Sequence, residues 1–166
     1  MGIGPEAEWA VRTGAAAETA ALGRRLGMAA RAGDALLLSG VVGAGKTVLA
    51  GGILTGLGVP GPHPSPTFTI VRTYHGRLHA AHLDLYRLDG GLDAEEIGLE
   101  DILAGEGVAV VEWAERLGAL TPPDALYVRL ERVTAGDERQ ILLAPSGPGA
   151  MDLVERARRV RAGGWR

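Results

Sequence analysis

The sequence predicts an α/β fold of three layers, with a mixed central sheet and antiparallel hairpins joining it, and three observations carry that prediction. An apolar run, Ala35-Leu-Leu-Leu38, leads into Gly40-x-x-x-x-Gly45-Lys46-Thr47 and then into residues Val48 to Leu57, which suit a helix. Gly107-Val-Ala-Val-Val-Glu-Trp113 is a near-continuous apolar run, the kind of strand buried on both faces of a parallel sheet. Two further segments, Thr67 to Leu85 and Ala125 to Ala144, each read as two strands joined by a glycine-containing turn.

The strand, loop and helix around residues 35–57 make a P-loop NTPase-like arrangement, in which backbone N–H groups converge on an anion at a helix N-terminus. Gly40, Gly43 and Gly45 permit positive φ and close backbone approach, while Ala44, Thr47 and Val48 complete the cradle. Lys46 can reach the β- and γ-phosphates of a nucleotide, and the Thr47 hydroxyl can ligate Mg2+. Lys46 is also the only lysine in the chain, since arginine supplies the other sixteen of its seventeen basic residues. A compact ammonium fits between phosphate oxygens where a planar guanidinium would sit differently.

With 166 residues the chain suits one domain, 1–166, with a flexible basic tail expected from about residue 146. Hydrophobic residues at 46% and charged residues at 22% are values of a globular protein, and a net charge of −3 argues against a surface that coats nucleic acid. Cysteine is absent, which excludes disulfides, a thiolate nucleophile and cysteine-ligated zinc, and favours a cytoplasmic home. The first residues lack a basic and then apolar leader pattern, and no uncharged stretch is long enough to cross a bilayer, so no membrane role is expected.

Along the chain, Thr13 is expected to cap an alanine-rich helix reaching about Arg31, with Gly33 as its stop. Gly56 and Gly58 end the helix after the phosphate loop, and Pro60 to Pro66 forms a rigid connector, either a loop near the nucleotide or a linker. Between Asp84 and Asp101 seven carboxylates face one arginine, on short helices expected around Asp93 to Ile97 and Leu99 to Leu103. Met151 to Arg161 reads as a basic helix, taken as a frayed and solvated end in preference to a surface for a phosphate backbone.

A nucleotide site needs oxygen ligands for its metal and a group that orients water. Glu112 closes the most apolar strand and is the metal candidate, resembling a Walker B carboxylate. Asp84 closes the hairpin strand and is the candidate for orienting water, with the alternative that either residue only caps a strand. The hydroxyls of Ser65 and Thr67 could sense a γ-phosphate, and Trp113 could stack on adenine or belong to the core. His75, His79 and His82 lie on a hairpin with mixed parity and no evident fourth ligand, which disfavours zinc.

Together, Gly43-Ala-Gly-Lys-Thr47, Ser65-Pro-Thr-Phe-Thr69, His82-Leu-Asp-Leu-Tyr-Arg87, Gly98-Leu-Glu-Asp101 and Val111-Glu-Trp113 closely resemble the TsaE family, also called YjeE. The likeness runs from about Thr19 to Trp113, with a looser match in the strands that follow. It implies a small ATPase using ATP and Mg2+ in making threonylcarbamoyladenosine beside the tRNA anticodon. TsaB and TsaD would be its partners, TsaC would supply the adenylate, and tRNA would be met through the complex. Lys46 and Thr47 then match the phosphate and Mg2+ residues, Thr67 a switch-like threonine, Asp84 and Glu112 the acidic residues and Trp113 the nucleotide-pocket tryptophan. The chain departs from the pattern at Val41, where the family often has an acid, and at Ala114, where it often has proline.

Two rivals come from other classes: a small-molecule kinase, which would usually need an arginine-bearing lid, and a nucleotide-gated binding module. A guanine-reading Asn-Lys-x-Asp motif cannot be written, because the chain has no asparagine and its lysine is already used. No arginine lies in the phosphate loop or between it and Thr67, so slow turnover and stimulation by a partner are expected unless Arg72 or Arg87 folds back toward the phosphates.

Overall fold

The computed structural model describes residues 5–67, 69–88 and 97–161. Its frame is a mixed sheet of seven strands in the order β1-β7-β6-β2-β5-β4-β3. In chain order these are β1 Trp9–Thr13, β2 Ala35–Ser39, β3 Val71–His75, β4 His79–Asp84, β5 Val108–Glu112, β6 Leu126–Arg132 and β7 Arg139–Pro145. The four inner strands β4, β5, β2 and β6 run parallel, while β3, β7 and β1 join antiparallel. The expected parallel pairing of residues 35–39 with 107–112 and both hairpins are therefore present.

Strand alternation divides the interior into two cores. Leu36, Leu38, Val108, Val110, Leu126 and Val128 face α1 (Ala16–Ala29), α2 (Lys46–Gly56) and α4 (Pro148–Arg159). Ala35, Leu37, Ala109 and Val111 face the other way, onto α3 (Leu99–Leu103) and a 3-10 segment at Ala114–Leu120. Every residue of β5 is buried, as its uninterrupted apolar run requires.

Three expectations need correction. Thr13 does not cap α1: it ends β1, a strand the sequence reading missed, and its buried hydroxyl pairs with that of Thr19 at 2.8 Å. Glu18 reaches back to the Gly14 N–H instead, at 2.6 Å. The chain after 146 is not a loose tail as far as residue 159. Ala150, Leu153, Val154 and Ala157 form a buried stripe at helical spacing, and Asp124 satisfies the N–H groups of Gly149 and Ala150 at the start of α4. Arg156, read as solvated, is tucked between Asp34 at 3.3 Å and the Ala29 carbonyl at 2.8 Å. The helix expected around Asp93 falls outside the described residues, whereas α3 forms where expected.

The helices α1 and α2 meet through backbone. A Cβ placed on Gly27 would lie 2.1 Å from the Ile53 carbonyl oxygen, and one on Gly23, Gly52 or Gly56 would strike Leu49, Ala20 or Arg24 at 2.4, 2.3 and 2.3 Å. These four glycines are therefore a packing requirement. Gly27→Val is expected to destabilise the protein by roughly 1–3 kcal/mol or more through overpacking, read as a lower urea midpoint.

Candidate functional site

Sheet register assembles the site. Leu38 of β2 stands opposite Glu112 of β5, and Glu112 opposite Asp84 of β4, so three parallel strands end at one edge. Beyond it the chain turns through residues 40–45 into α2. Open parallel sheets place ligands at this edge. Here lies a cleft of about 560 Å3, lined by Gly43, Gly45, Lys46, Thr47 and Val48 on one side and by Ser65, Thr67, Asp84, Glu112 and Trp113 on the other.

The loop has the backbone its sequence demands. Gly43 and Gly45 adopt φ of 77° and 103°, and Gly40 presses so close to β6 that a Cβ would lie 2.6 Å from the Leu130 carbonyl oxygen. Ala44 is fully buried beneath the loop rather than facing the cleft. Lys46 opens α2 and folds back, its ammonium donating to the carbonyls of Gly40 and, at 3.0 Å, Val41. Burial pushes the Lys46 ammonium below its usual range, against the opposing pull of Glu112, Glu115 and Asp84.

Across the cleft the carboxylates occupy separate networks. The Thr47 hydroxyl donates to Glu112 Oε1 at 2.7 Å, and the other Glu112 oxygen meets His82 Nε2 at 2.6 Å. His82 is fully buried and its Nδ1 has no partner, so the proton belongs on Nε2, facing the carboxylate. Asp84 accepts from Ser65 Oγ at 2.7 Å and Thr67 Oγ1 at 3.3 Å, and from the Tyr86 N–H at 3.0 Å. The proline-rich connector is thereby a wall of the cleft and not a linker.

A hydroxyl and a carboxylate 2.7 Å apart beside an anion-binding loop suit Mg2+, a hard cation that keeps water and phosphate oxygens as its remaining ligands. Among the described residues there is no group of three or more His, Cys, Asp or Glu that could hold a metal ion. His75 and His79 stack edge to face at 4.5 Å, while His82 turns to Glu112 instead.

Trp113 follows β5 in a left-handed conformation, φ 56°, and this turns its ring over the cleft. The Lys46 ammonium lies 4.3 Å from the ring centroid and Tyr86 5.0 Å from it, which puts Trp113 at the carboxylate end. Sequence reasoning overlooked Arg139, Asp137 and Thr19, which line the opposite end, and assigned His82 no role outside zinc. The alternation of β4 puts His82 on the same face as Asp84, a signal that was available; nothing local marks Arg139.

Comparisons with known proteins point one way. A family model described as "Threonylcarbamoyl adenosine biosynthesis protein TsaE" matches residues 13–141. The tRNA threonylcarbamoyladenosine biosynthesis protein TsaE of Treponema pallidum (strain Nichols) is 39% identical over 129 residues, which covers 78% of this chain and 95% of that protein. Its namesake from Mycobacterium leprae (strain TN) is 42% identical over 147 residues, 80% of this chain and 91% of that one. The crystal structure of YdiB from Bacillus subtilis superposes with a TM-score of 0.78 at 34% identity, covering 91% of this chain and 94% of that chain.

Proposed function

The chain belongs to the TsaE family of threonylcarbamoyladenosine biosynthesis, and from that membership we propose that it is a Mg2+-dependent ATPase of this tRNA modification. The family brings a nucleotide-binding P-loop fold. What supports the finer reading is the pairing of Thr47 with Glu112 directly beside the loop, with Asp84 one strand away. Thr47 and Glu112 would hold Mg2+, which when bound neutralises charge on the phosphates. Lys46 would exchange its loop carbonyls for phosphate oxygens. Asp84, backed by Ser65 and Thr67, would orient the attacking water in line with the γ-phosphorus. Trp113, lying over Lys46, then covers the phosphates at the γ end rather than stacking on the base.

In this reading TsaB and TsaD homologues are the working partners, TsaC supplies the adenylate, and tRNA is reached through the complex. The isolated chain turns over slowly. Arg139, at the loop, has its guanidinium bonded to backbone carbonyls of the loop and of its own turn. Phosphate release from ATP and GTP, with Mg2+ or EDTA, and with or without TsaB and TsaD, tests the proposal. Slow, EDTA-sensitive ATP hydrolysis that rises with the partners is expected. Equal or tighter use of GTP, or fast turnover that ignores the partners, would count against it. Among the described residues no helix is long and apolar enough to cross a membrane, and we propose a cytoplasmic location.

A further inference from the structure

Arg139 opens β7, separated from the phosphate loop by most of the chain, yet its guanidinium reaches the loop where both line the cleft. Its Nε donates to the Ala44 carbonyl at 3.0 Å and one terminal nitrogen to the Gly43 carbonyl at 3.1 Å. The other terminal nitrogen holds its own turn, through the carbonyls of Gly136 at 2.7 Å and Glu138 at 3.0 Å. The side chain is therefore a fork between the hairpin end and the loop.

Peptide planarity gives that fork a consequence. The C=O of one residue and the N–H of the next point in opposite directions across a single rigid plane. Fixing the Ala44 carbonyl toward Arg139 therefore aims the Gly45 N–H away from the guanidinium. Other loop carbonyls are secured differently: Val41 accepts from the Ala44 N–H at 3.0 Å and from Lys46, and Gly45 from the Leu49 N–H at 3.0 Å. Among the described residues, Arg139 is the only side chain bonded to the Gly43 and Ala44 carbonyls. Both flanking glycines sit at positive φ, so the peptides between them have little intrinsic preference for this orientation.

We propose that Arg139 is a positioning residue for the nucleotide cradle: it holds the Gly43 and Ala44 carbonyls in place, so that the Gly45 N–H is oriented for the phosphates of a nucleoside di- or triphosphate before it arrives. The inference rests on the nucleotide reading above and adds to it a residue and a mechanism, preorganisation. Its effect falls on affinity more than on chemistry, because the contact is remote from Asp84 and Glu112.

ADP binding measured by titration calorimetry, beside thermal unfolding, tests this in the parent, Arg139→Ala and Arg139→Lys. Arg139→Ala is expected to stay folded at the assay temperature and to bind ADP at least about tenfold more weakly. Arg139→Lys should recover only part of the loss, since one ammonium cannot present the planar fork. Low-millimolar guanidinium should restore affinity to Arg139→Ala, which a general loss of stability would not allow. For ATP, KM should rise by a larger factor than kcat falls. Parental affinity in a folded Arg139→Ala, or a fall in kcat with KM unchanged, would overturn the inference alone. Should Arg139→Ala not fold, parental affinity in Arg139→Lys overturns it and weakened affinity upholds it. A parent chain that binds no ADP would overturn the nucleotide reading, and this inference with it.

Discussion

Lys46→Ala is expected to abolish measurable ATP and ADP binding while leaving the unfolding temperature of the nucleotide-free protein at or above the parental value. The ammonium is the cation at the head of α2, aimed across a loop that otherwise offers only N–H dipoles. Removing one partner of a buried, hydrogen-bonded charge pair costs about 2–5 kcal/mol, and the upper end of that range, roughly 1,000-fold or more, carries a micromolar ligand out of range. Stability moves the other way because the side chain is only 5% exposed and burial depresses its pKa. With a folded pKa below the unfolded one, the native state binds fewer protons between the two values. Stability therefore rises with pH across that window and is lost as pH falls through the folded pKa. The alanine variant lacks this dependence. Calorimetric titration and thermal unfolding at several pH values read both effects, and retained affinity would remove Lys46 from the site.

The second large effect is expected from the carboxylates, and the two should fail differently. Asp84→Asn keeps shape but loses the charge that accepts from Ser65 and Thr67, so turnover should drop by roughly 10²–10⁴, the range of a lost general base, with ADP affinity within a few-fold of the parent. Glu112→Gln should raise the Mg2+ concentration needed for half-maximal turnover by at least the 10–100-fold typical of losing a metal's outer partner. His82→Ala should produce a weaker version of the same shift, since His82 fixes the oxygen opposite the one that meets Thr47. Normal hydrolysis by both carboxylate variants would remove these roles. A turnover loss in Glu112→Gln that no Mg2+ concentration relieves would exchange the two assignments.

What could be read in the sequence was whatever chemistry is contiguous. The phosphate loop declares itself because its glycines, lysine and threonine are neighbours, and β5 because burial on both faces leaves no polar position until Glu112. Asp84 and Glu112 could be paired because each closes a strand, and strand ends are where parallel sheets place their ligands. Arg139 could not be read, since its approach to Gly43 depends on β6 lying parallel beside β2 and on β7 returning to the same edge. The strand β1 is an edge of five residues, and Thr13 looks like a helix cap until the Thr19 hydroxyl claims it. In α4 the arginines drew attention to the solvated face, although Ala150, Leu153, Val154 and Ala157 already spelled a buried one.

The glycine contact between α1 and α2 divides the cleft mechanically. Backbone packed on backbone leaves no side-chain rotamers to absorb displacement, so the phosphate loop rides on a bracket that moves only if both helices move. The facing wall is of another kind. Ile70 and Trp113, neither of them glycine, sit at φ of 65° and 56°, conformations costing on the order of 1–3 kcal/mol each. They border the connector and the turn after Glu112, and they release that cost if the wall rearranges. If a nucleotide closes the cleft, the strained turns at Ile70 and Trp113, and not α2, are where the movement is expected. In hydrogen exchange, α2 amides beyond its first turn are expected to keep the same protection with and without ADP, while those near Ile70 and Trp113 change.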